Sequence, residues 1–141
     1  DIDTFRKTGQ RRDLNREKFE ANKLHELLKN FDSSASKNIS YLRHVIKVRS
    51  RLSAFHPEAY MKCISTNIDN CVIIQRGLDD EKVYVISNMS DKYLSIPLLN
   101  ELDLLPLSSK KRLIDNITGS NLNSDTFQLN PYQVVWLSLT E

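Results

Sequence analysis

Arg11-Arg-Asp-Leu-Asn-Arg16 is the one run of this sequence whose residue types could form a binding site. A carboxylate, a carboxamide and a guanidinium at Asp13, Asn15 and Arg16 offer planar acceptors and donors suited to a hydroxyl-rich ligand. The same side chains could instead form a helix-capping network, and on chemistry alone that plainer role explains them better. Little else resembles a catalytic constellation. With only Gly9, Gly77 and Gly119 there is no glycine-rich phosphate loop, and neither HExxH nor GxSxG occurs. Asp79, Asp80 and Glu81 fall in a turn and Asp115 near a strand end, where solvation is the ordinary role. His25 and His44 fall on helical patterns without a neighbouring Ser or Cys nucleophile. Cys63 and Cys71 flank a turn at 66–70 and are expected near each other, diagonally on one face. Two reduced thiols of a cytoplasmic protein fit them better than a disulfide, and their spacing to His56 matches no zinc pattern. No cofactor and no metal are called for. Taken alone, the chain is expected to perform no reaction.

The elements that must position these residues change character along the chain. Residues 1–14 have neither helical nor strand period and read as a loop. Leu24, Leu27, Leu28 and Phe31 then recur as one face of a short helix over 22–31, capped by Asn22. Tyr41, Val45, Val48, Leu52 and Phe55 make the stripe of a longer helix over 36–55, widened by Leu42 and Ile46. Ser36 is its expected N-cap, and Pro57 ends it near Phe55. Arg49 falls inside the stripe, where it either meets a partner or snorkels along its stem. Two helices this short bury too little to stand alone, so their apolar faces must lie on something else.

From Met61 the period shortens to that of strands. Runs at 61–65, 71–76, 83–87, 93–97, 112–115, 126–129 and 132–139 are separated by turn residues, which indicates an antiparallel sandwich. Residues 98–110 are leucine-rich but broken by Pro106 and read as an irregular connection. In the last strand Val134 and Trp136 share one face and Val135 and Leu137 the other. Both faces of the sheet must therefore be covered, one of them by the long helix. The fold class is α+β: two N-terminal helices followed by an antiparallel β-sandwich.

The 141 residues suit one domain, or a small domain with an attached piece, and no run approaches the roughly 20 apolar residues that span a bilayer. The chain begins Asp-Ile-Asp without an initiator Met and reads as a piece of a longer polypeptide. Residues 1–70 hold 14 Lys/Arg against 9 Asp/Glu (+5), and residues 71–141 hold 6 against 9 (−3). The basic half alternates in sign through Arg16, Glu17, Lys18 and Glu20 and lacks glycine-aromatic motifs. Neither nucleic acid nor a membrane is an expected partner.

The phrases GQRRDLNREKF, YLRHVIKVRSRLSAFHP, CVIIQRG, VYVISNMS and NPYQVVWLSL occur in that order. Together they resemble the C-terminal region of the sucrose-phosphorylase-like glycosidases of the α-amylase superfamily, glycoside hydrolase family thirteen. The Asp-Leu-Asn-Arg phrase is similar to Asp-Ile-Asn-Arg of the sucrose phosphorylase group. The resemblance implies that residues 1–57 end a (β/α)8 catalytic barrel and that 58–141 form the β domain called domain C. It implies that Arg16 is the glucose-binding arginine of the loop after the last barrel strand, with Asp13 and Asn15 beside it. The nucleophile and acid/base carboxylates of the family lie upstream, so the partners implied are an α-glucoside sugar in the intact enzyme and the rest of the barrel. Glu17-Lys18-Phe19 departs from the more aromatic sequence usual in sucrose phosphorylases, leaving the acceptor open. The rival is a non-catalytic β-sandwich module binding carbohydrate or another domain. Trp136 and Phe127 sit in core-like strand positions, which counts against it.

Overall fold

The computed structural model describes residues 2–11, 20–97, 112–122 and 126–140. The architecture is α+β, with helices preceding an antiparallel β-sandwich. The chain divides into two compact units, Asp1–Arg43 and His44–Glu141.

The first unit holds α1 (Ile2–Thr8), α2 (Ala21–Lys29) and the start of α3 (Ser34–Arg49). α1 corrects the loop expected over 1–14. Arg6 and Lys7 lie in its last turn, where cations complement the carbonyl end, and Gly9 N–H closes it on Phe5 O at 2.7 Å. A basic pair followed by glycine is a helix stop signal, one that an aperiodic seven-residue stretch obscures. α2 starts one residue before Asn22, which therefore lies within its first turn, and Glu20 at the cap position makes no side-chain capping bond. It ends at Lys29, leaving Phe31 in the following turn and largely exposed. Ser33, rather than Ser36, caps α3. Its Oγ accepts from Ser36 N at 3.1 Å and donates to Leu27 O at 2.7 Å, and Ser36 is itself buried.

α3 ends at Arg49, six residues before the expected stop. Arg51 N bonds Val48 O and Leu52 N bonds Arg49 O, tightening the last turn, and Ser53–Phe55 continue as a 3-10 turn. Arg49 is exposed and its Nη2 donates to Phe55 O at 3.4 Å, so the solvated alternative holds.

Within the second unit, β1 (Met61–Ile64), β2 (Cys71–Arg76), β3 (Val83–Asn88), β8 (Val134–Thr140), β5 (Arg112–Asp115) and β6 (Asn121–Leu122) form one antiparallel sheet in that spatial order. β4 (Leu94–Pro97) and β7 (Thr126–Leu129) form a second. The register Ile73↔Ile86↔Val135 and Tyr84↔Leu137 gathers one face, which packs with Leu113, Ile96 and Leu129 into a core. Each fully buried Ile or Leu there contributes roughly 1.5–3 kcal/mol over exposure. The opposite face carries Val83, Val85 and Trp136, so β8 is apolar on both sides. β6 was not expected; two residues, Asn and Leu, are too few to register a period.

The hairpin corrects the reading of the cysteines. Cys63 pairs with Ile74, while Cys71 lies three residues from Ile74, so the two thiols project from opposite faces. Neither is in a disulfide; Cys63 is exposed and Cys71 borders the core.

Candidate functional site

Asp13, Asn15 and Arg16 lie outside the described residues, as does the 98–110 connection. What the second unit displays is a seam between helix and sheet. Val45 and Val48 of α3, with Leu52 and Phe55 of its tail, pack on Val83, Val85, Trp136 and Ile117. The tail can reach the sheet because the helix has already stopped: Ala54 is fully buried, and the Phe55 and Trp136 rings stand 4.5 Å apart, tilted by 46°. Such a ring pair adds about 0.5–1.5 kcal/mol beyond its area.

Polar clips hold this seam. His44 Nε2–H donates to Ile117 O at 2.7 Å, tying α3 to the turn after β5. Arg76 donates from Nε to Ala54 O (3.0 Å) and from Nη2 to His56 O (2.8 Å), tying the tail to β2. Gly77 N–H adds a bond to Tyr60 O at 2.9 Å. Asp115, expected to be solvated, is buried. Its Oδ1 accepts from Trp136 N (3.0 Å) and Ile117 N (3.2 Å), and its Oδ2 accepts from the Thr118 hydroxyl (2.7 Å). Asn116 Nδ2 donates to Trp136 O and Ser138 Oγ at 2.8 and 2.9 Å. At the far end of the strands, buried Asn88 donates to Lys92 O at 2.6 Å and Asn130 O at 2.8 Å. These residues escape sequence reasoning because a polar side chain beside a turn looks the same whether it faces water or backbone.

Chemically, the seam positions rather than reacts. Among the described residues no group of three potential ligands could hold a metal ion, and no helix is long and apolar enough to cross a membrane. Not all of α3 is used: Leu42 and Ile46, one turn apart, are each 56% exposed, and Tyr41 is exposed beside them.

No family model matches the chain. It is 31% identical over 134 residues to a glucosylglycerate phosphorylase from Allomeiothermus silvanus, covering 94% of this chain and 21% of that protein. This chain matches the C-terminal region of an α-amylase-superfamily glycosidase. The crystal structure of the trehalose-6-phosphate hydrolase of Bacillus licheniformis has the same fold, with a TM-score of 0.55 and 20% identity over 83% of this chain and 20% of that one. A mutant of that hydrolase superposes with the same figures. The chain thus spans about a fifth of the length of the relatives it matches. The seam is how the sheet of this sandwich is fastened to the preceding helix.

Proposed function

We infer that this chain is the C-terminal part of an α-glucoside-active retaining enzyme that passes a glucosyl group to phosphate or water. Residues 1–57 end its (β/α)8 barrel and 58–141 form domain C. The observation that carries this reading is the 31% identity to a glucosylglycerate phosphorylase across 94% of the chain. The division of α3 supports it. Val45 and Val48 serve the β domain, while Ile46 stays exposed for a catalytic body to cover. Retaining chemistry needs two carboxylates about 5 Å apart, on this reading supplied by that body, so the fragment alone is inert. Arg16 grips the glucosyl hydroxyls in the donor subsite with Asp13 and Asn15 beside it, contributing by positioning. Two cysteines on opposite faces of their hairpin, neither in a disulfide, fit a reducing cytoplasmic setting.

Arg16→Ala in the full-length enzyme tests the reading. Loss of a charge-assisted contact to bound sugar should lower kcat/KM by about 100-fold, equivalent to roughly 2.7 kcal/mol. Near-normal kcat/KM would remove Arg16 from the site.

A further inference from the structure

The end of the β-sandwich away from the helix tail presents aromatic rings to solvent. Tyr93, in the β3–β4 connection, is 63% exposed; Tyr132, in the β7–β8 turn, is 68% exposed; and Met89, in the same connection as Tyr93, is also open. They belong to one built corner. A single side-chain nitrogen, Nδ2 of buried Asn88, binds the carbonyls of Lys92 and Asn130, so the backbone entering Tyr93 and that two residues before Tyr132 are held together. Tyr132 N–H donates to Ser90 O at 3.1 Å, and Met89 N–H to Asn70 O at 2.8 Å, fixing the remaining loops. Tyr132 sits at φ +56°, a left-handed conformation that disfavours any side chain bearing a Cβ. Asparagine and glycine tolerate that position, yet a large ring stands there and buries little of itself. The strain and the exposure are opposite to what packing would select, which directs attention to something outside the chain.

We propose that Tyr93 and Tyr132 form a carbohydrate-binding platform on the β domain, separate from the donor-subsite loop at Arg16. A tyrosine ring is apolar on its faces and polar at its tip, and a pyranose is divided in the same way, with an apolar C–H face and a hydroxyl rim. The same two loops carry exposed Lys92 and Asn130, which bring hydrogen-bonding groups such a rim requires, and exposed Met89 adds an aliphatic surface. Loops that mix exposed rings with polar side chains suit a sugar better than an apolar protein face. The platform does not depend on the barrel assignment, since every residue in it belongs to the β-sandwich unit.

The test is titration of the 15N-labelled chain with maltotriose, followed by amide shifts. Saturable changes confined to residues 88–93 and 129–134 are expected, with a dissociation constant on the order of 1 mM. Tyr132→Gly removes the ring and relieves the backbone strain, so it should bind at least about tenfold more weakly while unfolding no earlier than the wild type. Tyr93→Ala should weaken binding similarly, and Tyr132→Phe should retain most of it. Absence of saturable shifts, shifts elsewhere only, or equal binding by Tyr132→Gly and Tyr93→Ala to that of the wild type would each overturn the platform. So would concentration-dependent dimerisation that Tyr132→Gly abolishes, which would assign the patch to a second copy. None of these outcomes touches the Arg16 measurement, so the two readings fail separately.

Discussion

Gly77 and Gly119 have nearly the same backbone angle, φ +73° and +74°, but different surroundings. A Cβ at Gly119 would meet nothing within 4 Å. One at Gly77 would lie 2.7 Å from Glu81 O and 3.2 Å from the Ala54 Cβ. Alanine in a left-handed conformation costs roughly 1–2 kcal/mol, partly offset by about 0.4–1 kcal/mol from stiffening the unfolded chain. Gly119→Ala should therefore lose about 1 kcal/mol. Gly77→Ala carries that same cost. It must also move the Glu81 backbone or the tail that seats Ala54, adding an overpacking term of about 1–3 kcal/mol. The movement further endangers the Gly77 N–H bond to Tyr60 O at 2.9 Å, so a total near 3 kcal/mol is expected. At about 4 °C per kcal/mol for a chain of this size, Tm should fall by roughly 12 °C for Gly77→Ala and about 4 °C for Gly119→Ala. The sole tryptophan, Trp136, reports unfolding through its fluorescence, because its ring partner Phe55 belongs to the same seam. Equal losses from the two substitutions would refute the claim that the tail is wedged against this turn.

Asp115→Ala should destabilise by about 2–4 kcal/mol, since Trp136 N–H and Ile117 N–H lose their buried acceptor; Asp115→Asn keeps one oxygen and should cost only about 1 kcal/mol. Thermal melts that rank the two alike would argue that the carboxylate does not organise this turn. Oxidation of the folded chain should produce no Cys63–Cys71 disulfide, because the thiols leave opposite faces of the hairpin. A thiol reagent should label Cys63 well before Cys71, and a two-dalton loss in the intact mass after oxidation would contradict the register.

The strand half of the molecule was legible because it is patterned by water and core alone. β2, β5 and β7 occupy the spans their alternating residues indicate, and Val134/Trp136 and Val135/Leu137 divide between faces as period two demands. The helices were less legible, since their boundaries are decided by single hydrogen bonds. Ser33 rather than Ser36 caps α3 because its hydroxyl also reaches Leu27 O, a contact with another element that no local pattern encodes. Arg76 and Asn88 lie at strand ends, yet Arg76 holds the Ala54 and His56 carbonyls of the helix tail, and Asn88 ties Lys92 O to the sequence-distant Asn130 O. The two cysteines show the opposite failure: proximity in sequence suggested a shared face, and one residue of register reversed it.

One apolar stripe on α3 proved to be two surfaces for a related reason. Periodicity marks which residues avoid water, and it carries no label for the body that covers them. Tyr41, Val45, Val48, Leu52 and Phe55 fit a single helical line, but the helix stops at Arg49, so Leu52 and Phe55 reach the sheet by irregular backbone. Freed from following the helix, the tail inserts Ala54 and Phe55 under β3 and β8, and Arg76 fixes it there by its main-chain oxygens. Within the second unit Val45 and Val48 are thereby covered while Ile46 stays exposed. A helix that ended at Phe55, as its stripe suggested, would have held Leu52 and Phe55 in line with Val45. The early stop is therefore what lets Leu52, Ala54 and Phe55 reach the sheet off the helical line.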